Sequence, residues 1–246
     1  MKVIVVKDYT EMCKRASRIF AAQVTLKPDS VLGLATGSTP VGMYKELVQM
    51  FDEGRIDFSQ VKTVNLDEYA GLPGDNDQSY RYFMNQNLFD HINIDKANTN
   101  VPDGTAANLH AECERYEQVV ASMGGVDIQL LGIGNNGHIA FNEASDHLIA
   151  VAHTEKLTES TINANARFFE KKEDVPTMAI TMGMGDILAA KKVVLAATGL
   201  AKVPAIRGLI MDDVITTQNP STMLKMHEDA VVVIDRELAD AVGYRA

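Results

Sequence analysis

The chain has 246 residues, of which 46% are hydrophobic, and it carries a formal net charge of −10. This length suffices for one large α/β core, and the sequence predicts a single domain over residues 1–246. Because the balance is acidic and no basic stretch occurs, the composition argues against a nucleic-acid partner and against an anionic membrane surface.

Neither the cysteines nor the apolar runs point to export or to a membrane. Cys13 and Cys113 stand far apart, without the spacing of a metal site or a disulfide framework. The apolar run at residues 3–6 is too short for a signal peptide, and no stretch approaches the ~20 apolar residues of a membrane span. We therefore expect a soluble cytoplasmic protein.

Short β-branched runs alternate along the chain with longer stretches of helical periodicity. Residues 41–51 and 108–123 each carry apolar side chains on one helical face. This alternation predicts an α/β fold with a mainly parallel, twisted, Rossmann-like sheet of about seven strands and helices on both faces. The predicted strands are Val3–Val6, Val31–Ala35, Val61–Leu66, Ile128–Ile133, Met178–Met182, Val193–Ala197 and Val231–Ile234.

The segment from residue 148 to residue 176 interrupts this alternation. It is polar, contains several threonines and asparagines, and has no strong strand in it. A long insertion next to an active site is often a lid, so the segment is a candidate for a helical lid. The alternative is that the segment is a surface loop that does not act as a lid.

The first predicted strand-to-helix turn has the features of a phosphate cradle. Gly37 permits a tight turn, and Thr39 is the expected N-cap with Pro40 at the first helical position. The free N–H groups of the helix start and the hydroxyls of Ser38 and Thr39 suit an anion. The spaced glycine and the lysine of a nucleotide P-loop are missing, and an ordinary capped helix start fits as well.

Carboxylates follow the next strand. Asp67 and Glu68 stand at its carboxyl end, before a loop that contains Gly71. A carboxylate at a strand tip that faces a cleft can act as a general base, especially when partial burial raises its pKa. The alternative is that Asp67 only caps the following turn.

A histidine lies on the loop after the fourth predicted strand. The loop reads Gly-Asn-Asn-Gly-His at 134–138, and Glu143 follows His138 by five residues. Such a histidine with a nearby carboxylate is typical of proton transfer in an α/β fold. The alternative is that Asn136-Gly137 is only a tight turn, because this pair favours positive φ.

Taken together, these loops resemble the glucosamine-6-phosphate deaminase family. The likeness includes Gly33–Pro40, Asn65–Tyr69 and Leu131–Glu143, and continues through Ala164–Phe169 and Ala179–Gly183. It covers essentially the whole chain in a single order. Members of the family convert glucosamine 6-phosphate to fructose 6-phosphate and ammonia in amino-sugar catabolism, without a metal or an organic cofactor.

The resemblance implies a role for each candidate residue. His138 would open the sugar ring, Glu143 would orient and polarise its imidazole, and Asp67 would move the C2 proton of the open chain to C1. Asn136 would complete this catalytic group as an orienting amide. The substrate phosphate would be bound by Gly37, Ser38, Thr39, Arg167 and Lys202.

The chain departs from the family pattern at several positions. Asn136 stands where one branch has aspartate, so it cannot raise the pKa of His138 by charge, and Glu143 should carry more of the electrostatic load. Ala144-Ser145 replaces a common Pro-Gly, and Ser38 replaces a common glycine. His153 and Glu155 occupy the positions of basic effector ligands. We therefore expect a monomer or small oligomer without activation by N-acetylglucosamine 6-phosphate.

Two other classes of function remain open on the sequence alone. One is 6-phosphogluconolactonase, or another sugar-phosphate isomerase of the same architecture, of which the lactonase needs no base at C2. The other is a non-catalytic sugar-phosphate sensor, which is disfavoured because Asp67, His138 and Glu143 are all present and no helix-turn-helix extension occurs.

Overall fold

A computed structural model shows a large parallel sheet and a small antiparallel sheet joined by α-helices and short 3-10 helices. It describes residues 1–245, and the side chains of residues 160, 164 and 168 lie outside that description. The strands are β1 (Lys2–Val6), β2 (Val31–Leu34), β3 (Lys62–Asn65), β4 (Asp67–Tyr69), β5 (Thr99–Asn100), β6 (Ile128–Leu131), β7 (His153–Lys156), β8 (Met178–Thr181), β9 (Val193–Ala197) and β10 (Ala230–Asp235). The helices are α1 (Tyr9–Leu26), α2 (Val41–Asp52), α3 (Tyr80–Asn87), α4 (Leu109–Ser122), α5 (Glu159–Asn165), α6 (Met184–Leu188), α7 (Val203–Ile210) and α8 (Arg236–Val242).

The large sheet confirms the predicted fold class. Its seven strands run in the order β1-β10-β9-β6-β2-β3-β5, and every neighbouring pair is parallel. All residues of β2, β6, β9 and β10 are buried. Because successive strand residues point to opposite faces, this burial requires cover on both faces of the sheet.

Two expectations about strands were wrong in detail. The predicted strand at Met178–Met182 exists as β8, but it pairs antiparallel with β4 and β7 in the small sheet. The seventh place in the large sheet belongs to β5, which is only two residues long and has no apolar run to mark it. The 148–176 segment does contain a strand, β7, whose partly exposed polar residues gave no apolar signal.

The two stretches of helical periodicity form helices close to the predicted bounds. The stretch at 108–123 becomes α4, which begins after Asn108, whose side chain accepts hydrogen bonds from the amides of His110 and Ala111. Tyr116 on this helix is buried and donates its hydroxyl to the carbonyl of Asn65 at the end of β3. Within residues 1–245, no helix is both long enough and apolar enough to cross a membrane.

The strand order places the polar loops together. From β2 the chain continues on one side to β3 and β5, and then returns to the other side through β6, β9 and β10. The order therefore reverses between β2 and β6, and the loops that leave their carboxyl ends flank a crevice. This is the position at which parallel α/β sheets bind ligands.

Candidate active site

A cleft of about 290 Å³ opens at this switch point. The predicted site residues converge on it with one exception: Glu143 lies behind the surface and contacts His138 instead. The predicted residues that line the cleft are Gly37, Ser38, Thr39, Asp67, Asn136, His138, Arg167 and Lys202.

The turn after β2 differs by one residue from the predicted helix start. Gly37 adopts φ +87°, which a residue with a side chain rarely tolerates. The helix α2 begins at Val41, with Pro40 as its cap, and no side chain caps it, so the expected N-cap bond from Thr39 was wrong. Thr39 lies in the turn itself, and its position on the cleft is compatible with anion binding.

Two neighbouring cations line the cleft. Arg167 lies on a short 3-10 helix after α5, and Lys202 precedes α7. Partial burial lowers the pKa of Lys202, and the nearby charge of Arg167 lowers it further. Like charges held this close favour a bound anion, which would relieve their repulsion.

The neighbouring carboxylates Asp67 and Glu68 make different contacts. Asp67 opens β4, is only 7% exposed and faces the cleft. Burial, with a contribution from the charge of Glu68, raises the pKa of Asp67 to about 8. Glu68 turns away and accepts hydrogen bonds from the backbone amides of Tyr69, Tyr80 and Arg81, at 2.8–2.9 Å. Glu68 therefore anchors the start of α3, and Asp67 is left for chemistry.

His138 is held by a second carboxylate. Its Nδ1 lies 3.3 Å from Glu143 Oε2, and Asn136 Nδ2 donates to the same oxygen at 2.8 Å. The Asn136 side-chain oxygen accepts the amide of His138 at 3.2 Å, so Asn136 bridges the pair. A hydrogen bond from Nδ1 to Glu143 leaves His138 Nε2 as the nitrogen available to a ligand.

The contacts around Glu143 stabilise its ionised form. Burial raises its pKa, but hydrogen bonds from His138, Thr161 and Asn136, together with the charge of His138, outweigh burial and lower the pKa to about 2. Both Thr161 and Thr158 donate their hydroxyls to Glu143 Oε1, the latter at 3.4 Å. The 148–176 segment is therefore bonded directly to the carboxylate behind His138.

The geometry of this loop requires glycine at two positions. A Cβ at Gly134 would lie 2.4–2.5 Å from ring atoms of His138, so only glycine lets the imidazole pack there. Gly137 adopts φ +86°, and its carbonyl accepts the amide of Ser221 at 2.9 Å. The loop therefore contains the tight turn, and the same loop places His138 in the lining of the cleft.

Several side chains at the cleft were not identified from the sequence. The rings of Tyr69, Tyr80, Phe141 and Phe169 form an aromatic wall, in which Tyr80 stacks on Phe141 at 6.1 Å between centroids. Asn165 Nδ2 donates to the Tyr69 hydroxyl at 2.8 Å. These residues come from distant parts of the chain, so no local motif joins them. For Thr161, the only indication in the sequence was its place in the polar segment 148–176.

The described residues 1–245 contain no group of three or more His, Cys, Asp or Glu side chains placed to hold a metal ion. The chemistry that the cleft offers on its own side chains is proton transfer. A buried carboxylate of raised pKa and a carboxylate-paired imidazole face one space, whose lining also includes Arg167 and Lys202.

Comparisons with known proteins agree with this geometry. Residues 8–233 match the family model described as glucosamine-6-phosphate isomerases/6-phosphogluconolactonase. The chain is 55% identical over 242 residues to a glucosamine-6-phosphate deaminase of Clostridium beijerinckii, covering 98% of this chain and 100% of that protein. It is 52% identical over 242 residues to one from Thermoanaerobacter sp., covering 98% and 95%.

Solved structures show the same fold. A monomeric glucosamine-6-phosphate deaminase superposes with a TM-score of 0.95 at 44% identity, covering 98% of this chain and all of that one. A 6-phosphogluconolactonase from Trypanosoma cruzi superposes with a TM-score of 0.76 at 20% identity, covering 97% and 96%, a likeness of fold alone. The chain belongs to the glucosamine-6-phosphate isomerase/6-phosphogluconolactonase family.

Proposed function

We propose that this protein is a glucosamine-6-phosphate deaminase. It converts D-glucosamine 6-phosphate and water reversibly to D-fructose 6-phosphate and ammonia, within amino-sugar catabolism. The observation that carries the proposal is the position of Asp67, a buried carboxylate with a pKa of about 8 on the same cleft as His138. A lactonase needs no base at C2, and its likeness to this chain lies near 20% identity.

The phosphate anchors the substrate at the cationic end of the cleft. Arg167 donates paired N–H bonds and Lys202 acts as a point charge, while Ser38 and Thr39 supply hydrogen bonds from the turn. Local cations are needed there because the chain as a whole has a charge of −10 and repels a dianion. The sugar then extends from this end toward Asp67 and His138.

Ring opening is the task of His138. The neutral imidazole takes the proton of the C1 hydroxyl and delivers a proton to the ring oxygen, so that the C1–O5 bond breaks and an open-chain aldehyde forms. Glu143 stabilises the imidazolium that arises between these two transfers, and Asn136 holds Glu143 in place. Glu143 stays ionised throughout, because its pKa is about 2.

Asp67 carries the isomerisation. Its carboxylate removes the C2 proton of the open chain while the C2 ammonium group gives a proton to the C1 oxygen, which yields an enolamine, and the resulting carboxylic acid returns its proton to C1. The product is a 2-imino sugar whose hydrolysis by water yields the ketone and ammonia. A pKa of about 8 suits both steps, because the group can accept and return a proton near neutral pH.

The 148–176 segment forms the lid of this site in our proposal. Thr158 and Thr161 contact Glu143, and Arg167 and Phe169 line the cleft, so the segment touches both ends of the reaction space. The whole of residues 1–246 acts as one catalytic domain. Two buried free thiols, Cys13 and Cys113, are in keeping with a reducing cytoplasm.

We also propose a monomer or small oligomer that N-acetylglucosamine 6-phosphate does not activate. Glu155 on β7 lies 3.5 Å from His153 Nε2, and its acidic side chain would repel an effector phosphate. The relative with 44% identity is itself a monomeric enzyme.

One assay tests the main proposal. Glucosamine 6-phosphate is added to the purified protein, and ammonia and fructose 6-phosphate are measured together, with 6-phosphogluconolactone as the comparison substrate. We expect equimolar products from the amino sugar and no comparable lactone hydrolysis. A folded protein that releases neither product refutes the proposal, and an Asp67→Asn variant with full activity on the lactone supports the lactonase.

A further inference from the structure

The first turn of α1 contacts the turn that follows β2. The Tyr9 hydroxyl oxygen lies 3.2 Å from the carbonyl oxygen of Ser38 and 3.2 Å from that of Thr39. It also accepts the backbone N–H of Gly42 at 3.1 Å. One hydroxyl therefore holds the carbonyls of the turn and satisfies one of the free amides at the start of α2.

The sequence makes room for this contact. A Cβ at Gly42 would lie 2.6 Å from Cys13 Sγ and 3.0 Å from the Tyr9 hydroxyl oxygen. Tyr9 and Cys13 are four residues apart on α1, so they present one face to the start of α2. Glycine at position 42 is thus what allows α1 to approach the turn closely.

We propose that Tyr9 is a positioning residue that orients the turn for the substrate phosphate. The peptide unit between Ser38 and Thr39 is planar and trans, so its C=O and N–H point in opposite directions. Tyr9 binds the C=O from the α1 side and thereby directs the Thr39 N–H toward the opposite side, where Ser38 and Thr39 line the cleft. Tyr9 is not among the residues that line the cleft.

Tyr9 acts in this way at any working pH. Burial raises the pKa of its phenol, so the hydroxyl keeps the proton that it shares between the two carbonyls. The effect falls on the phosphate end alone, because Asp67 and His138 belong to other loops. Loss of the hydroxyl should therefore weaken binding and leave the chemical steps unchanged.

The test compares four variants with the wild-type protein: Tyr9→Phe, Gly42→Ala, the double variant, and Tyr244→Phe as a matched control. Tyr244 is a partly buried tyrosine near the C-terminus, away from the cleft lining. For each protein, kcat and KM for glucosamine 6-phosphate are measured, together with the Kd of inorganic phosphate by calorimetry and the melting temperature.

A neutral hydrogen bond is worth roughly 1 kcal/mol, so Tyr9→Phe should raise KM and the phosphate Kd about three- to tenfold, with kcat within about twofold. Gly42→Ala displaces the same hydroxyl. KM and the phosphate Kd of the double variant should therefore be no higher than those of the more impaired single variant. Tyr244→Phe should match the wild type in both constants.

The inference rests on the proposed function, but the two can fail separately. If the wild-type protein releases no ammonia, the proposed deaminase function is refuted. The phosphate Kd then still tests the role of Tyr9. A Tyr9→Phe protein with unchanged KM and Kd overturns the positioning role. So does a loss confined to kcat, or effects of the two single variants that simply add.

Discussion

Replacing Asp67 with asparagine should remove activity and, at the same time, stabilise the fold above pH 5. The carboxyl group is buried with a pKa of about 8, against 3.8 for an ordinary aspartate. Its folded pKa is raised, so the protonated form favours the folded state. This contribution is fully present below pH 4 and is lost as the pH rises toward 8.

The size of the effect follows from that difference. Each pH unit between the two pKa values costs about 1.4 kcal/mol. At pH 5 the loss amounts to about 2 kcal/mol, and at pH 7.5 it reaches about 5 kcal/mol, by the same linkage relation. Asparagine has nearly the same shape and no such titration. The stability difference between Asp67→Asn and wild type should therefore grow by about 3 kcal/mol from pH 5 to pH 7.5.

Urea unfolding of both proteins at the two pH values measures this difference, because groups common to both cancel in the subtraction. In parallel, exchange of the C2 proton of glucosamine 6-phosphate with D₂O is followed by NMR, and the variant should show none. A stability difference that stays constant between pH 5 and pH 7.5 refutes the raised pKa. Undiminished proton exchange in the variant refutes the role of Asp67 as the base.

Further predictions concern the rest of the site. In the wild type, kcat/KM should rise with pH with an apparent pKa near 8, since Asp67 reacts as the carboxylate; a flat profile from pH 6 to pH 9 contradicts this. Glu143→Gln should slow interconversion of the substrate anomers by about a hundredfold, measured by saturation-transfer NMR, and an unchanged rate would remove Glu143 from ring opening. Lys202→Gln should raise KM by about ten- to a hundredfold with little change in kcat, whereas the exposed Lys45→Gln should behave as wild type. Rate curves should be hyperbolic with or without N-acetylglucosamine 6-phosphate, and a sigmoidal curve that the effector straightens would overturn the proposed lack of activation.

Much of the large sheet could be predicted because its strands are buried on both faces. The segments Val193–Ala197 and Val231–Ile234 are continuous apolar runs for that reason. The short strand Thr99–Asn100 has only two residues and no such pattern. All four residues of β7 are polar, and the strand lies at a sheet edge, where pairing is through the backbone, so side-chain hydropathy does not mark it.

The candidate site likewise contains residues that could be predicted from the sequence and residues that could not. Asp67, His138 and Gly37 stand in short motifs after strands, and chain topology alone brings such loops to one edge. The aromatic wall and the Tyr9 contact are formed between residues far apart in sequence, and no local pattern encodes those distances. The family resemblance singled out Asp67 over its neighbour Glu68, but the physical reason, the hydrogen bonds that Glu68 accepts from the start of α3, could not be seen in the sequence.

The short helix α5 links two parts of the candidate site. Its first turn carries Thr161, which donates to the carboxylate behind His138, and Arg167 lies two residues beyond its end. Six residues of helical chain separate these two positions by about 10 Å. Because one helical segment carries Thr161 and leads to Arg167, a change that displaces α5 would alter the contact to Glu143 and the lining of the cleft together.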